Sequence, residues 1–273
     1  MRSFISHLAP WLSSLAVILL FTLLLNACDD GDGVTGTRNT DYAASERFAF
    51  EIERQGQIRF RLQGINGSVQ VNGVAGAVSF IIEGEKHVES DSQQDAEEYL
   101  ELLDVEIGSS DEEVVVRTVQ PDYAAGRNFV VDYSISMPRD IVLTLSLVNG
   151  SIVVQSLDRS ITVQNVNGSI VVRDVMGSAL LSLVNGQIDA AMALESGGII
   201  DMRTTNGIIL LGLPQDTSAS FSAAVETGSI VLVNLTLVGE IRTANSLSGT
   251  LGGGDGTVML RTTNGNITVT GRP

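Results

Sequence analysis

The stretch Leu145-Ser146-Leu147-Val148-Asn149-Gly150-Ser151-Ile152-Val153-Val154 decides the fold. Apolar side chains alternate on both of its arms, Leu145 and Leu147 before the Asn-Gly step, Ile152 and Val154 after it. Period two in Leu, Ile and Val marks half-buried strands. The pattern returns as VQNVNGSIVV, LSLVNGQIDA, MRTTNGIILL and LRTTNGNITV, around Asn167, Asn185, Asn206 and Asn264. AVETGSIVLV puts Thr227 in the same slot, and IRTANSLSGTL puts Asn245 there. The slots 149, 167, 185, 206, 227, 245 and 264 are separated by 18, 18, 21, 21, 18 and 19 residues. An eighth copy, GINGSVQV around Asn66, lies upstream of an insertion.

Two architectures fit such a repeat. In an antiparallel β meander each Asn-Gly is a type I′ hairpin turn and Leu147 faces Ile152 across it. In a parallel solenoid each Asn-Gly is a corner, and equivalent residues of successive coils stack about 4.8 Å apart. Near-constant coil length favours the solenoid, because it sets Asn over Asn and aliphatic over aliphatic. Stacked amides hydrogen-bond along such a ladder, and Asn and Gly tolerate the left-handed backbone that a corner needs. The expectation is therefore an all-β chain: a single-stranded parallel β-helix-like solenoid with one short helical insertion, its coils stacked in sequence order.

The insertion SDSQQDAEEYLELLDVEI carries Ala96, Tyr99, Leu100 and Leu103 at the spacing of a helix face, with Ser92 and Asp95 placed as a capping pair. Strand-like runs flank it: FAFEIE and QIRFRLQ before, EEVVVRTV and NFVVDYSISM after. A helix-bearing segment here covers the N-terminal end of the solenoid, where backbone edges are otherwise unpaired. Pro138-Arg139-Asp140 turns the chain into the regular coils.

Residues 1–28 combine an early Arg2, an apolar run from Leu15 to Leu25, and Leu25-Asn26-Ala27-Cys28. The run has 11 residues, where a membrane span needs about 20, so it reads as a secretion signal. Its end resembles the bacterial lipobox, with Asn26 a departure at a slot usually small or aliphatic. The resemblance implies diacylation of Cys28, the only cysteine, after removal of residues 1–27. The expected organisation is a lipoprotein signal peptide (1–27), a flexible tether (28–45), an N-terminal β segment with the acidic helical insertion (46–140), and the β-solenoid repeats (141–273). The expected location is the bacterial cell envelope, lipid-anchored, with the domain on the periplasmic or extracellular side.

Composition limits the chemistry. The 273 residues hold 16 Lys and Arg against 32 Asp and Glu, a formal charge of −16, which argues against a nucleic-acid partner. Residues 28–140 hold 9 basic and 23 acidic side chains, a net of −14, whereas residues 141–273 hold 6 and 9, a net of −3. Of two histidines, His7 lies in the signal, so His87 alone supports neither a Ser-His-Asp triad nor a multi-histidine metal site, and no cofactor is expected. The slot three before the corner reads Ser146, Gln164, Ser182, Arg203, Ala224, Arg242 and Arg261. Its three arginines suggest an anion-contacting stripe, although outward positions on a solenoid are polar in any case. Asp189, Asp201, Glu226 and Glu240 occupy differing slots, so no carboxylate constellation repeats. The last strand, Ile267 to Thr270, is expected to be an open edge available for self-association.

The order of strand, Asn-Gly copy, acidic DAEEYLELLDVEI helix, VVVRT strand, DYSISMPRD strand and turn, then serial VNGSI copies resembles a bacterial β-strand-repeat family of adhesin type, domain of unknown function 4097. The resemblance spans roughly residues 45–271. It implies a parallel β-helix-like envelope protein, frequently lipid-anchored, with no catalytic residues to carry over. The leading expectation is a non-enzymatic scaffold or binding domain for an envelope protein or polysaccharide. The alternative is a polysaccharide-active β-helix enzyme.

Overall fold

The computed structural model describes residues 41–273; the stretch expected to be a signal peptide, Cys28 and the expected tether up to residue 40 lie outside the described residues. Four long strands make the centre: β8 (Val142–Leu157), β9 (Ile161–Met176), β10 (Ala179–Ala193) and β11 (Ile199–Pro214). In each, the buried alternation changes parity at the Asn-Gly step, so the strand turns a corner there and both arms face the core. Neighbours pair in parallel with Asn149 opposite Asn167, Asn167 opposite Asn185, and Asn185 opposite Asn206. Parallel pairing requires each coil to return to its starting side, which excludes the meander. Leu145, Leu147, Ile152 and Val154 all point into one buried core, as do their equivalents in the other coils.

Beyond these four coils the spatial order departs from the order in sequence. Three further coils are broken at their corners: β2 (Arg59–Gln63) with β3 (Val69–Val74), β12 (Ala219–Thr227) with β13 (Ile230–Val233), and β16 (Gly256–Asn264) with β17 (Ile267–Arg272). The last coil in sequence, β16 and β17, lies between β11 and the β12–β13 coil. The first is tucked in as well. β2 and β3 lie between β8 and a coil formed by β6 (Glu113–Val119) and β7 (Asn128–Pro138). The first and last coils in sequence are thus each locked one layer inside the stack.

Two expectations are corrected here. The slots do not stack in sequence order, because Asn264 and not Thr227 follows Asn206. The segment Ile267 to Thr270 is not an edge, since β17 is paired on both sides, with β11 and β13.

Antiparallel strands finish both ends. At the N-terminal end β5 (Asp104–Ser109) pairs with β6, β4 (Ser79–Ser90) with β7, and β1 (Tyr42–Glu53) with β4. Strand β1 begins at Tyr42, within the stretch read as tether, because Tyr42 to Ser45 find partners in Ser90 to His87. At the C-terminal end β15 (Ser246–Leu251) pairs with β12, and β14 (Val238–Arg242) with β15. The only helix among the described residues, α1 (Gln93–Leu100), packs on β1 and β4 and buries Ala96; Leu103 follows the helix and is buried too. It plugs part of the N-terminal end of the core, with Tyr99 against Phe129 at 6.1 Å between ring centroids. The wall β1-β4-β7-β3-β8-β9-β10-β11-β17-β13 takes nine steps, about 43 Å at about 4.8 Å each. Among the described residues no helix is long and apolar enough to cross a membrane.

Candidate functional site

The Asn-Gly corners form one continuous edge. Asn264 Nδ2 donates to Asn206 Oδ1 at 2.8 Å, Asn206 to Asn185 at 2.9 Å, Asn185 to Asn167 at 2.8 Å, and Asn167 to Asn149 at 2.8 Å. Asn149 then donates to Asn66 at 2.7 Å, and Asn66 ends the ladder on the Phe129 carbonyl at 2.9 Å. Every amide donates in the same direction, so the bonds polarise one another. Thr227 lies opposite Asn264 beyond the last amide, its carbonyl accepting from the Gly265 N–H at 2.8 Å. Asn245 stands outside the ladder, in the turn between β14 and β15, where its Nδ2 donates to the Glu226 carbonyl.

A glycine follows the slot in all seven ladder coils, and the reason is steric. A Cβ on Gly150 would lie 1.7 Å from the Gly67 carbonyl oxygen, on Gly207 1.6 Å from that of Gly186, and on Gly265 1.8 Å from that of Gly207. Most of these glycines also have positive φ, Gly168 at 133° and Gly186 at 132° among them. The adjacent inward positions carry polar groups that meet these carbonyls: Asn165 Nδ2 donates to Gly150 at 2.8 Å and Thr262 Oγ1 to Gly207 at 3.2 Å.

Three positions before the corner, on the outer face, the paired strands align Gln63, Ser146, Gln164, Ser182, Arg203 and Arg261 into a polar lane. Arg203 and Arg261 are direct cross-strand neighbours. Arg242 does not join them; it lies on β14, donating to Glu240 at 3.0 Å and to the Ile230 carbonyl at 3.3 Å. The expected stripe of three arginines is a pair. Arg203 Nε binds Asp201 at 2.9 Å, whereas Arg261 makes no ion pair among the described residues and reaches Met259 Sδ at 3.3 Å.

Five carboxylates of the repeats are bound to arginines, Asp201 to Arg203 among them. Arg173 binds Asp189 at 2.6 Å, Arg139 binds Asp158 at 2.9 Å and Asp174 at 3.4 Å, and Arg242 holds Glu240. His87 sits 3.5 Å from Glu89 on β4, beside a Lys86–Glu46 pair of 2.6 Å. Among the described residues no group of three or more His, Cys, Asp or Glu is disposed to hold a metal. An open cleft of about 730 Å³ runs along the loop edge, lined by Leu194, Glu195, Pro214, Asp216 and Asp255 among others. Asp255 accepts there from Ser218 Oγ at 2.7 Å, tying the Gly252–Asp255 loop to the turn that precedes β12.

The acidic insertion is clamped. Arg127 donates to both oxygens of Asp95 at 2.6 Å, lies 3.5 Å above the Tyr99 ring, and is joined by Ser90 Oγ on the same carboxylate. The guanidinium, then Ser90, hold the Asp95 carboxyl down at about 2.

No protein-family profile matches the chain, and no curated protein matches it. Among solved structures it is similar to a "putative cell adhesion protein" from Clostridium sporogenes, at 13% identity and a TM-score of 0.49 over 84% of this chain and 100% of that one. It is also similar to "putative adhesins" from Bacteroides fragilis, at 8% identity and a TM-score of 0.30, and Parabacteroides distasonis, at 11% and 0.25. These cover 82% and 84% of this chain and 97% and 98% of theirs.

Proposed function

We propose that this chain is a lipid-anchored cell-envelope protein whose solenoid is a rigid, adhesin-like scaffold that binds an envelope protein or polysaccharide without transforming it. The observation that carries the reading is the corner edge. An unbroken amide ladder and a glycine ladder run through the stacked coils, and a rod so braced presents a fixed surface. The polar lane is the natural binding strip, with rungs about 4.8 Å apart that suit an extended polymer. Asp189, Asp201 and Glu240 are each bound to an arginine, which favours the non-catalytic half of the reading for the outer face of the coils, because hydrolysis of a glycan calls for a pair of carboxyl groups facing the scissile bond. The anchor half rests on the Leu25-Asn26-Ala27-Cys28 sequence alone.

Cross-linking and pull-down from native envelopes tests the binding claim. Capture of a polymer or protein that is lost in Arg203→Glu/Arg261→Glu supports it; capture unchanged by that variant removes the lane from the reading. Turnover of an envelope or plant glycan by the purified domain, abolished by Arg203 or Arg261 substitution, overturns the non-catalytic claim. Cys28→Ala releases the chain from membranes if the anchor is right, and retention of the variant defeats it.

A further inference from the structure

The stack ends differently at its two poles. At the N-terminal pole the outer strand β1 carries Glu46, Arg47, Glu51 and Glu53, and charged edge residues are what keep a free strand from pairing with another chain. At the C-terminal pole the outer strand is β14, Val238-Gly239-Glu240-Ile241-Arg242, which pairs only with β15. All five of its residues are exposed, and Val238 and Ile241 are 68% and 66% exposed. The neighbouring β13 adds Val231 and Val233 to the same end, but one of its edge carbonyls, that of Ile230, is already taken by Arg242. Strand β13 pairs only with β17 and β5 only with β6, but β14 is the edge strand whose exposed sequence sets opposite charges against itself.

We propose that this edge pairs with the β14 edge of a second copy of the chain, antiparallel, about a two-fold axis through Ile241. The sequence is self-complementary in that register. Ile241 meets Ile241 of the second copy at the axis, and on the opposite face Glu240 of each copy lies directly across from Arg242 of the other. The pair that now bridges within one strand at 3.0 Å then becomes a four-charge cluster of alternating sign. Charge at the scale of the whole domain selects the same pole. The described residues 41–140 hold 8 basic and 20 acidic side chains, a net of −12, and the repeats 141–273 only −3, so joining copies through their C-terminal ends holds the acidic ends apart. A single five-residue strand buries less than a standard interface, so the dimer is of the weak class that forms at high local density.

Residues 39–273 are a compact unit that contains the whole hydrophobic core, so this fragment serves for the test. Sedimentation velocity from about 10 µM to about 1 mM, spanning the weak-interface range, is expected to show monomer passing to dimer as concentration rises. Ile241→Lys is expected to keep the fragment monomeric, and Glu240→Arg alone to weaken the dimer at least tenfold by setting Arg against Arg. Glu240→Arg combined with Arg242→Glu is expected to restore it. Every substituted side chain is exposed, and an unchanged circular dichroism spectrum checks the fold. Monomer at every concentration overturns the proposal, as does a dimer indifferent to Ile241→Lys or a double swap that fails to restore pairing. None of these readouts depends on the envelope ligand, so failure here leaves the binding reading standing, and the reverse.

Discussion

Asn264 donates its side-chain amide to Oδ1 of Asn206 at 2.8 Å across 58 residues of sequence. The coils of Thr227 and the β14–β15 hairpin are made in between, yet the chain returns to fill the layer directly beside β11. The same device operates at the other end, where Asn149 reaches Asn66 over 83 residues and the first coil is enclosed by later ones. A solenoid built strictly in sequence order exposes its first and last coils, which fray most easily. Here the terminal coils are interior, and each is held by two parallel neighbours.

Removal of residues 256–273 therefore takes out an interior layer. Strands β11 and β12 would be left two strand spacings apart, about 10 Å, with their facing edges unpaired. The truncated domain is expected to aggregate or to lose hydrogen-exchange protection at least from β11 to β15. Protection confined to a loss at the cut end would show that the layer is dispensable.

The glycine ladder gives a sharper contrast. Gly207→Ala sets a Cβ 1.6 Å from the Gly186 carbonyl oxygen, and neither backbone can move without breaking the pairing of β10 with β11. It is expected to destabilise the domain by more than about 3 kcal/mol in chemical denaturation. Gly108→Ala on β5, where a Cβ meets nothing within 4 Å, is expected to change stability by less than about 0.5 kcal/mol.

Much of this was legible in the sequence, and the part that was not has a physical cause. Spacing of the Asn-Gly steps reveals the corners because a positive φ and stacking of one coil on the next both demand glycine there. The neighbours of each coil are hidden, since most corners are chemically alike and nothing in their sequence ranks one coil above another as a neighbour. Asn245 fails a stricter criterion than spacing: Ser246 follows it, and a serine carries the Cβ that a ladder coil has no room for. Thr227 lacks the amide but is followed by Gly228, and it does stand in the stack. Arg242 fell with Asn245, because the β14–β15 hairpin turns that copy antiparallel. Helix α1 ends at Leu100, before the apolar spacing does, and Leu103 is buried from the following turn.

The amide ladder should respond to charge. Asn185 accepts from Asn206 and donates to Asn167. Asn185→Ala loses two exposed bonds, about 1 to 2 kcal/mol together. Asn185→Asp keeps the acceptor but faces Asn167 Oδ1 with an anion, so it is expected to be less stable than the alanine variant at pH 7. At a pH below its own carboxyl's, the protonated acid donates again and the order reverses. Denaturation of both variants at pH 7 and pH 3 decides.

Asp95 predicts the acid behaviour of the insertion. Its carboxyl is held at about 2 against an ordinary 3.8 by the Arg127 guanidinium, so the folded state favours the anion. That contribution is complete above the unfolded value, near 3.8, and is lost as pH falls through about 2. Amide exchange of Gln93–Leu100 is expected to accelerate over that interval while β8 to β11 stay protected. Arg127→Met, which retains much of the contact with Tyr99, should accelerate exchange already at neutral pH and flatten the acid response. Unchanged exchange in the variant would mean that the apolar face of α1 holds it without the clamp.

Thr204 and Thr262 occupy the same slot in adjacent coils, directly paired, and are expected to respond differently to one substitution. Thr262 Oγ1 donates to the Gly207 carbonyl at 3.2 Å, whereas Thr204 Oγ1 is buried and has no partner among the described residues. Valine preserves the β-branched shape at either position. In Thr204→Val a buried hydroxyl that makes no bond is replaced by a methyl group, which is expected to raise stability by up to about 1 kcal/mol. In Thr262→Val the same exchange leaves the inward carbonyl of Gly207 without its side-chain donor, at an expected loss of about 1 kcal/mol. Equal effects in chemical denaturation would show that Thr204 shares the corner carbonyls, so that the two coils are bonded alike.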